Sequence, residues 1–348
     1  MKKMGFGVIG LGAIADVHVK AINSIPDACF VAGFDMVPGR ADAFCKERGG
    51  KGYDNIDAFL SDSNLETVTI TTPSGAHLDV ALASMRAGKN VIIEKPLEIT
   101  TERCDQLIAE AKKCGVTLSG IFQSRFHEAP QLVKKALEEG RFGTISIIDA
   151  QVKWFRTQEY YDAVKWHGTW KLDGGGALMN QSIHAIDLLQ WFGGEVKEIT
   201  GYTATLAHER IEVEDTAVAN LKFASGALGV IEGTTAAYPG FLKRIEICGS
   251  RGCAVIEEES LKCWHFVDDT EEDEEIRKKY FDATQTGGGA GDPHALGFHG
   301  HARVFEDVLH AVREGREPAI TGEEARKSVA IIEAIYESAR EHKATVPR

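Results

Sequence analysis

The residues with the most chemical promise lie in one run, Asp173-Gly174-Gly175-Gly176-Ala177-Leu178-Met179-Asn180-Gln181-Ser182-Ile183-His184-Ala185-Ile186-Asp187. Three consecutive glycines let a backbone approach something flat or bulky, and a helical pattern follows at once. At helical spacing Asn180, His184 and Asp187 fall at i, i+4 and i+7 and share one face. Leu178, Ile183, Ile186, Leu188 and Leu189 supply the apolar side. A titratable imidazole beside an amide suits proton transfer. The same pattern also fits a capped core helix whose histidine is merely hydrogen-bonded.

A second group stands near the N-terminus. Gly10-Leu11-Gly12-Ala13-Ile14-Ala15 is a Gly-x-Gly-x-x-Ala turn directly after an apolar run. Gly10 permits the turn, Gly12 admits a pyrophosphate, and the small Ala15 lets helix and strand pack closely. The amides around Ala13 and Ile14 then open a helix toward the phosphates. Asp35 closes the next apolar run at the distance expected of a ribose-binding acid. Its carboxylate repels a 2′-phosphate and favours NAD, whereas Arg40 just beyond leaves NADP possible. Thr72-Pro73 and His77 follow another run and place backbone beside the cofactor, although a histidine there is more often a helix-start residue than a catalyst. Glu94-Lys95-Pro96 ends a further run. A partly desolvated lysine beside a nicotinamide cation has a lowered pKa and can handle a substrate hydroxyl. By spacing alone, a surface Glu–Lys pair explains it as well.

Other candidates carry less. Gln123 and Arg125 sit where the dinucleotide-binding half ends, and Arg125 fits a substrate contact or an ion pair equally. Three of the five tryptophans crowd into Trp154–Trp170 with Arg156, Tyr161 and Trp166, a composition that suits stacking on a pyranose or a subunit interface. His294, His299 and His301 lie in or beside the Gly287–Gly300 segment, and His299-Gly300-His301 resembles a metal pair without a nearby acid or thiol to complete it, so no metal is expected.

The elements that must position these groups are legible in outline. Gly5–Ile9, Cys29–Phe34, Thr67–Thr71, Asn90–Ile93 and Thr117–Phe122 read as buried strands. Ile14–Ser24, Arg40–Arg48, Leu78–Ala87 and Glu102–Cys114 read as the helices between them. That alternation predicts a parallel sheet with ligands beyond the strands' carboxyl ends. After Phe122 the rhythm changes to a helix at Pro130–Glu139, a strand at Ile145–Lys153 and the glycine-led helix. Alternating β runs follow at Lys197–Thr205, Asp215–Phe223, Ala227–Thr235, Arg244–Cys248, Cys253–Glu257 and Leu261–Phe266. They predict an antiparallel sheet with helices on one side. Gly287–Gly300 reads as a flexible loop, and helices at His301–Glu314 and Glu323–His342 close the chain.

At 348 residues the chain is long for one core, and two domains are expected, 1–122 and 123–348. A net charge of −13 argues against nucleic acid or an anionic membrane as partner. Much of it sits in the acidic run 268–275, read as a solvated edge or loop. Seven scattered cysteines without metal spacing read as reduced, mostly buried thiols in a cytoplasm. The start Met1-Lys2-Lys3 flows into a strand rather than a signal peptide, and no membrane span is expected.

Together, Gly10–Ala15, Glu94-Lys95-Pro96 and Gly174–Asp187 resemble the Gfo/Idh/MocA sugar and cyclitol oxidoreductases over essentially the whole chain. The resemblance implies an α/β chain: an N-terminal Rossmann domain, then an α/β domain on an open, mainly antiparallel sheet whose free face mediates homodimers or homotetramers. It implies NAD, or NADP, as cofactor and a small sugar-like substrate oxidised at a secondary hydroxyl. The family's catalytic lysine falls on Lys95 and its catalytic histidine on His184. Where many members carry aspartate four residues before that histidine, this chain has Asn180, which cannot take a proton but can bond a hydroxyl. Asn180, Arg125, Gln123, Arg156, Tyr161, Trp166 and Asp187 form the expected substrate set. Either Lys95 or His184 is then the base. A nucleotide-sugar 3-dehydrogenase and a non-enzymatic dinucleotide-responsive regulator are the competing readings.

Overall fold

The computed structural model describes residues 2–281 and 297–348. It falls into two compact units, Met1–Gln123 with Gly297–Arg326, and Ser124–Leu296 with Lys327–Arg348.

In the first unit the elements run β1 (Met4–Ile9), α1 (Ala15–Ser24), β2 (Ala28–Phe34), α2 (Arg40–Arg48), β3 (Lys51–Tyr53), α3 (Ile56–Leu60), β4 (Thr67–Ile70), α4 (His77–Arg86), β5 (Asn90–Ile93), α5 (Thr101–Cys114) and β6 (Leu118–Gly120). The strand order is β3-β2-β1-β4-β5-β6 and every pairing is parallel. This is the doubly wound order whose strand order reverses at β1/β4. β1 and β4 are buried at every residue, as strands covered on both faces must be. The sequence pattern lacked β3 and α3: three residues and five are too short for a period to register.

A single cut at 122/123 does not describe the units. Residues 297–326 return to the first, because α10 (His299–Glu314) packs on α1 and Ser119 Oγ donates to the Ile320 carbonyl at 2.8 Å. The Gly287–Gly300 loop expectation, with His294, falls mainly outside the described residues, while His299 and Gly300 already belong to α10.

The second unit holds α6 (Glu128–Glu138), β7 (Ile145–Lys153), α7 (Gln158–Asp162), a π-helical turn at Ala177–Ser182, α8 (Ile183–Gly193), β8 (Val196–Ala204), β9 (Thr216–Phe223), β10 (Leu228–Thr234), β11 (Arg244–Gly249), β12 (Gly252–Glu257), β13 (Ser260–Phe266) and α9 (Glu271–Phe281). Its sheet runs β13-β12-β11-β7-β10-β9-β8, antiparallel except for the β7/β10 pair. α11 (Gly322–Glu341) contributes its later turns. In β9 the alternation is strict: Ala217, Ala219, Leu221 and Phe223 are buried, and Val218, Asn220 and Lys222 between them are exposed. One face therefore carries the core and the other stays open. On the covered face Gly233 of β10 has no room for a side chain against Leu178 and Ser182, so the π-helical turn sits directly on the strand.

Two further expectations change. The acidic run is not simply solvated: it opens α9, and buried Asp273 accepts from Arg141 Nη1 and Nη2 (2.9 and 2.6 Å) and from Trp264 Nε1 (2.7 Å). Burial raises the Asp273 carboxyl, but these donors outweigh it and hold it low. The cysteines are all free, yet only Cys45 and Cys104 are buried; the other five are half-buried.

Candidate active site

In the first unit the Gly10–Ala15 turn is set by β1 and β2. Gly10 has φ +88°, and a side chain there would come within 2.8 Å of the Thr72 amide nitrogen. Gly12 has no neighbour within 4 Å of a built Cβ, so space is kept open beside it. Ala13 is exposed like Gly12, and no side chain caps the start of α1. Asp35 is buried; its Oδ2 accepts from Leu11 N (2.9 Å) and its Oδ1 from Val37 N (2.8 Å). The carboxylate thus holds the glycine turn as well as standing at the end of β2. Arg40 Nη1 lies 3.4 Å from Asp35 Oδ2, half in solvent. Thr72 Oγ1 is buried without a hydrogen-bond partner among the described residues. An open, uncapped glycine turn, an acid at the strand end and an orphan hydroxyl fit a dinucleotide.

Two further side chains of this unit have internal partners. His77 is buried, with Nε2 3.0 Å from the Thr72 carbonyl and Nδ1 3.1 Å from the Pro96 carbonyl, so its ring clamps two loops. Glu94 is buried too: its Oε1 meets His18 Nε2 (3.0 Å) and His301 Nε2 (3.1 Å), and its Oε2 accepts from Lys95 N (2.9 Å). The acid that the sequence pattern did not place near His301 is this one. Lys95 itself is half-buried.

In the second unit the glycines serve a different purpose from the one expected. A side chain at Gly176 would land on the Glu214 carbonyl oxygen, and one at Gly175 on the Tyr336 hydroxyl. The flat partner is the protein's own chain. Glu214 is buried and accepts from Gly176 N (3.0 Å), Leu178 N (2.8 Å) and Tyr336 Oη (2.9 Å). Burial drives its carboxyl up to about 7 against those three donors. Burial and the neighbouring Glu214 likewise push the Tyr336 phenol well above its ordinary range.

Glu214 thereby seats the π-helical turn that carries Asn180. The turn breaks the expected common face, because i→i+5 pairing shifts the phase relative to α8. Asn180 is half-buried and His184, in the first turn of α8, is half-buried, whereas Asp187 is wholly buried. Asp187 takes a bidentate bond from Arg125 (2.8 and 2.7 Å). Arg125 and Asp187 thus form an internal ion pair. Tyr161 is also internal: its hydroxyl lies 2.9 Å from Thr235 Oγ1, and burial raises its pKa. Arg156 is buried with Nη2 bonded to Gln181 Oε1 at 3.0 Å, so it supports the turn from beneath. Trp166 stays half-buried, edge-on to His167, which stacks on Tyr160. Gln123 is half-buried and its Oε1 has no partner among the described residues.

Asn180 has a carboxylate neighbour after all. Its Nδ2 donates to Asp173 Oδ1 at 2.5 Å, and Asp173 is buried, also accepting from Gly168 N (2.8 Å). The residues that sequence reasoning missed are Asp173, Glu214, Gln181 and Tyr336. Only Glu214 left a signal, a Glu214-Asp215 pair leading straight into the buried-alternating strand β9.

These arrangements have parallels among known proteins. Residues 4–122 match the model of the oxidoreductase family with an NAD-binding Rossmann fold, and residues 131–255 that of the GFO/IDH/MocA C-terminal domain. The chain belongs to the Gfo/Idh/MocA oxidoreductase family. The WlbA dehydrogenase of Bordetella pertussis, solved with NADH and UDP-GlcNAcA, is 34% identical with a TM-score of 0.88, covering 100% of this chain and 99% of that one. The myo-inositol 2-dehydrogenase of Thermotoga maritima is 28% identical over 344 residues, 97% of each chain. The scyllo-inositol 2-dehydrogenase (NAD(+)) of Bacillus subtilis is 27% identical over 255 residues, 72% of each. As a Gfo/Idh/MocA protein, the chain has an NAD-binding Rossmann fold in its first unit and the mainly antiparallel sheet in its second.

Proposed function

We propose that this protein is an NAD-dependent dehydrogenase that oxidises a secondary hydroxyl of a sugar, glycoside or cyclitol, with Lys95 and His184 as its acid–base pair. The observation that carries the reading is the glycine turn at Gly10–Gly12, held by Asp35 and open beside Gly12, in a chain that also presents half-buried Lys95 and His184. Bound NAD supplies a hydride acceptor at its nicotinamide ring. One of Lys95 and His184 takes the hydroxyl proton, and the other holds the oxygen as negative charge develops. Asn180, held between Asp173 and Gln181, is the proposed contact for a neighbouring hydroxyl, with Trp166 and Gln123 as further contacts. Arg125, Arg156, Tyr161 and Asp187 support the scaffold and take no part in the chemistry.

The similarity to the NADH- and UDP-sugar-bound WlbA dehydrogenase favours a second substrate reading, a nucleotide-linked sugar. Following NADH absorbance against inositols, free sugars, glycosides and UDP-linked sugars separates the two, with Lys95→Ala and His184→Ala as controls. NADH formation lost in both variants, with NADH binding intact, is the expected result. Retained turnover in Lys95→Ala would sink the role given to the lysine.

We propose in addition that the open sheet face pairs copies of the chain into a homodimer or homotetramer. Tyr202, Val218 and Leu228 expose 71%, 47% and 57% of their surface there, and Tyr202 and Val218 are cross-strand neighbours. A monomer in sedimentation analysis would overturn this. A cytoplasmic setting is proposed from the free thiols; no helix among the described residues is long and apolar enough to cross a membrane.

A further inference from the structure

Glu94 is buried, and its Oε1 serves two imidazoles that arrive from distant parts of the sequence. His18 comes from the middle of α1 and His301 from the first turn of α10. Both rings are buried, their centroids lie 5.2 Å apart, and His18 is further seated edge-on against Phe305 at 5.3 Å. His18 Nδ1 lies 2.9 Å from Thr69 Oγ1, which fixes the ring so that Nε2 faces the carboxylate. His301 Nδ1 is buried without a hydrogen-bond partner among the described residues, so Nε2 is the ring's sole polar engagement there. The other oxygen of Glu94 accepts from the backbone N–H of Lys95. The far side of the same segment is held by His77 on the Pro96 carbonyl.

The geometry points to His18 and His301 as positioning residues for Lys95, acting through Glu94. Two ring N–H donors on one oxygen fix the carboxylate in place and leave its second oxygen aimed at the Lys95 amide. The lysine's backbone is thereby tied to α1 and α10 at once. This rests on the assignment of Lys95 as an acid–base residue. The N···O separations of 3.0 and 3.1 Å are those of direct hydrogen bonds, with the ring protons filling the space between the groups. Two imidazoles and a carboxylate can also hold a divalent metal, and that is the rival to be tested. The charge balance favours the bonded network. Burial alone would raise the Glu94 carboxyl, yet the two histidines hold it well below the ordinary range, so it stays an anion. Burial keeps His18 below its ordinary value despite the carboxylate, so it donates as a neutral ring.

The test compares His301→Leu, which removes the donor, with His301→Gln, whose amide keeps an N–H at similar reach. His301→Asn, one bond too short to reach Glu94, replaces the leucine variant if that fails to fold. Each is assayed for kcat, KM, NADH binding by fluorescence and the pH profile, beside Lys95→Ala. The expected result is a kcat lower by about tenfold or more in His301→Leu, the equivalent of about 1.4 kcal/mol in the barrier. KM and NADH affinity should stay within about threefold by the same scale. The acid limb of the profile should move to higher pH, because Glu94 loses a donor and protonates sooner. His301→Gln should recover most of the rate. Wild-type kcat and profile in His301→Leu, or no recovery in His301→Gln, overturns the inference. So does one equivalent of zinc in the purified protein that is lost in His301→Leu. Activity retained in Lys95→Ala instead removes the lysine reading itself, whatever the histidine variants do.

Discussion

Two of the glycine-rich turns in this chain, Gly10-Leu11-Gly12 and Gly174-Gly175-Gly176, do opposite work. At Gly12 the missing side chain leaves space outside the protein's own packing, since a built Cβ meets nothing within 4 Å, while Gly10 beside it is closed by Thr72. At Gly175 and Gly176 the side-chain positions are filled from within, by the Tyr336 hydroxyl and the Glu214 backbone. A glycine that admits a ligand and a glycine that admits the chain itself cannot be told apart by composition. What separates them is whether anything already occupies the side-chain position. The first run is a feature of binding, the second a feature of folding that holds the His184-bearing segment in place.

The sharpest way to break that comparison is to put the same methyl group in both runs. Gly176→Ala drives a Cβ onto the Glu214 carbonyl and displaces backbone, so we expect a loss of about 3 kcal/mol or more in urea unfolding, beyond ordinary overpacking. A Gly176→Ala protein as stable as the wild type would remove the folding role. The mirror experiment is Gly12→Val. Its unfolding midpoint should hardly move, whereas NADH affinity should drop by at least about tenfold, roughly 1.4 kcal/mol. Unchanged NADH binding would mean that the open space beside Gly12 serves no phosphate.

The third prediction concerns Glu214, which makes the second run possible. Its carboxyl is raised from an ordinary 4.5 to about 7. The fold therefore favours the protonated form. The stability linked to that proton is fully present below pH about 4.5 and is lost as pH rises through about 7. Over that window wild-type stability should decline through this one group by up to about 3 kcal/mol, at about 1.4 kcal/mol per pH unit. Glu214→Gln should flatten that decline, at the expense of an amide hydrogen facing the Gly176 or Leu178 N–H. Parallel urea titrations from pH 4.5 to 8 check it, and identical slopes in both proteins would refute the titration of Glu214.

How far the sequence carried these arguments differs between the halves. The Rossmann half was legible because each of its signals is local. Apolar runs mark the strands, Gly10 and Gly12 mark the turn, and Asp35 stands at a fixed distance; α2 and β5 match their expected bounds. The second half lost information where partners are remote in sequence. Nothing near Gly176 announces Glu214, and nothing near Arg125 announces Asp187, 62 residues on, as its bidentate partner. The π-helical turn was invisible for another reason. Ala177–Ser182 keeps an α-like apolar spacing, and the one-residue phase shift arises from bonds to Glu214 and from the close seat on Gly233. The internal bonds of His77 and Glu94 were not legible either, because a motif places residues near a ligand without saying which way their side chains turn.

The smallest effect belongs to Arg40, and it probes how far the open run's electrostatics extend. Its guanidinium is about half exposed and 3.4 Å from Asp35 Oδ2, a geometry worth at most about 1 kcal/mol. Asp35 does not depend on it, since both carboxylate oxygens already accept backbone N–H bonds from Leu11 and Val37. Arg40→Ala should therefore leave NAD affinity within about threefold. NADP affinity should fall further than NAD affinity, because the lost charge is a cation placed to offset a 2′-phosphate against Asp35. Both follow from fluorescence titrations with NADH and NADPH at two salt concentrations. An equal loss for the two cofactors would mean that Arg40 acts by shaping the β2–α2 turn and not through its charge. The NAD preference would then rest on Asp35 alone.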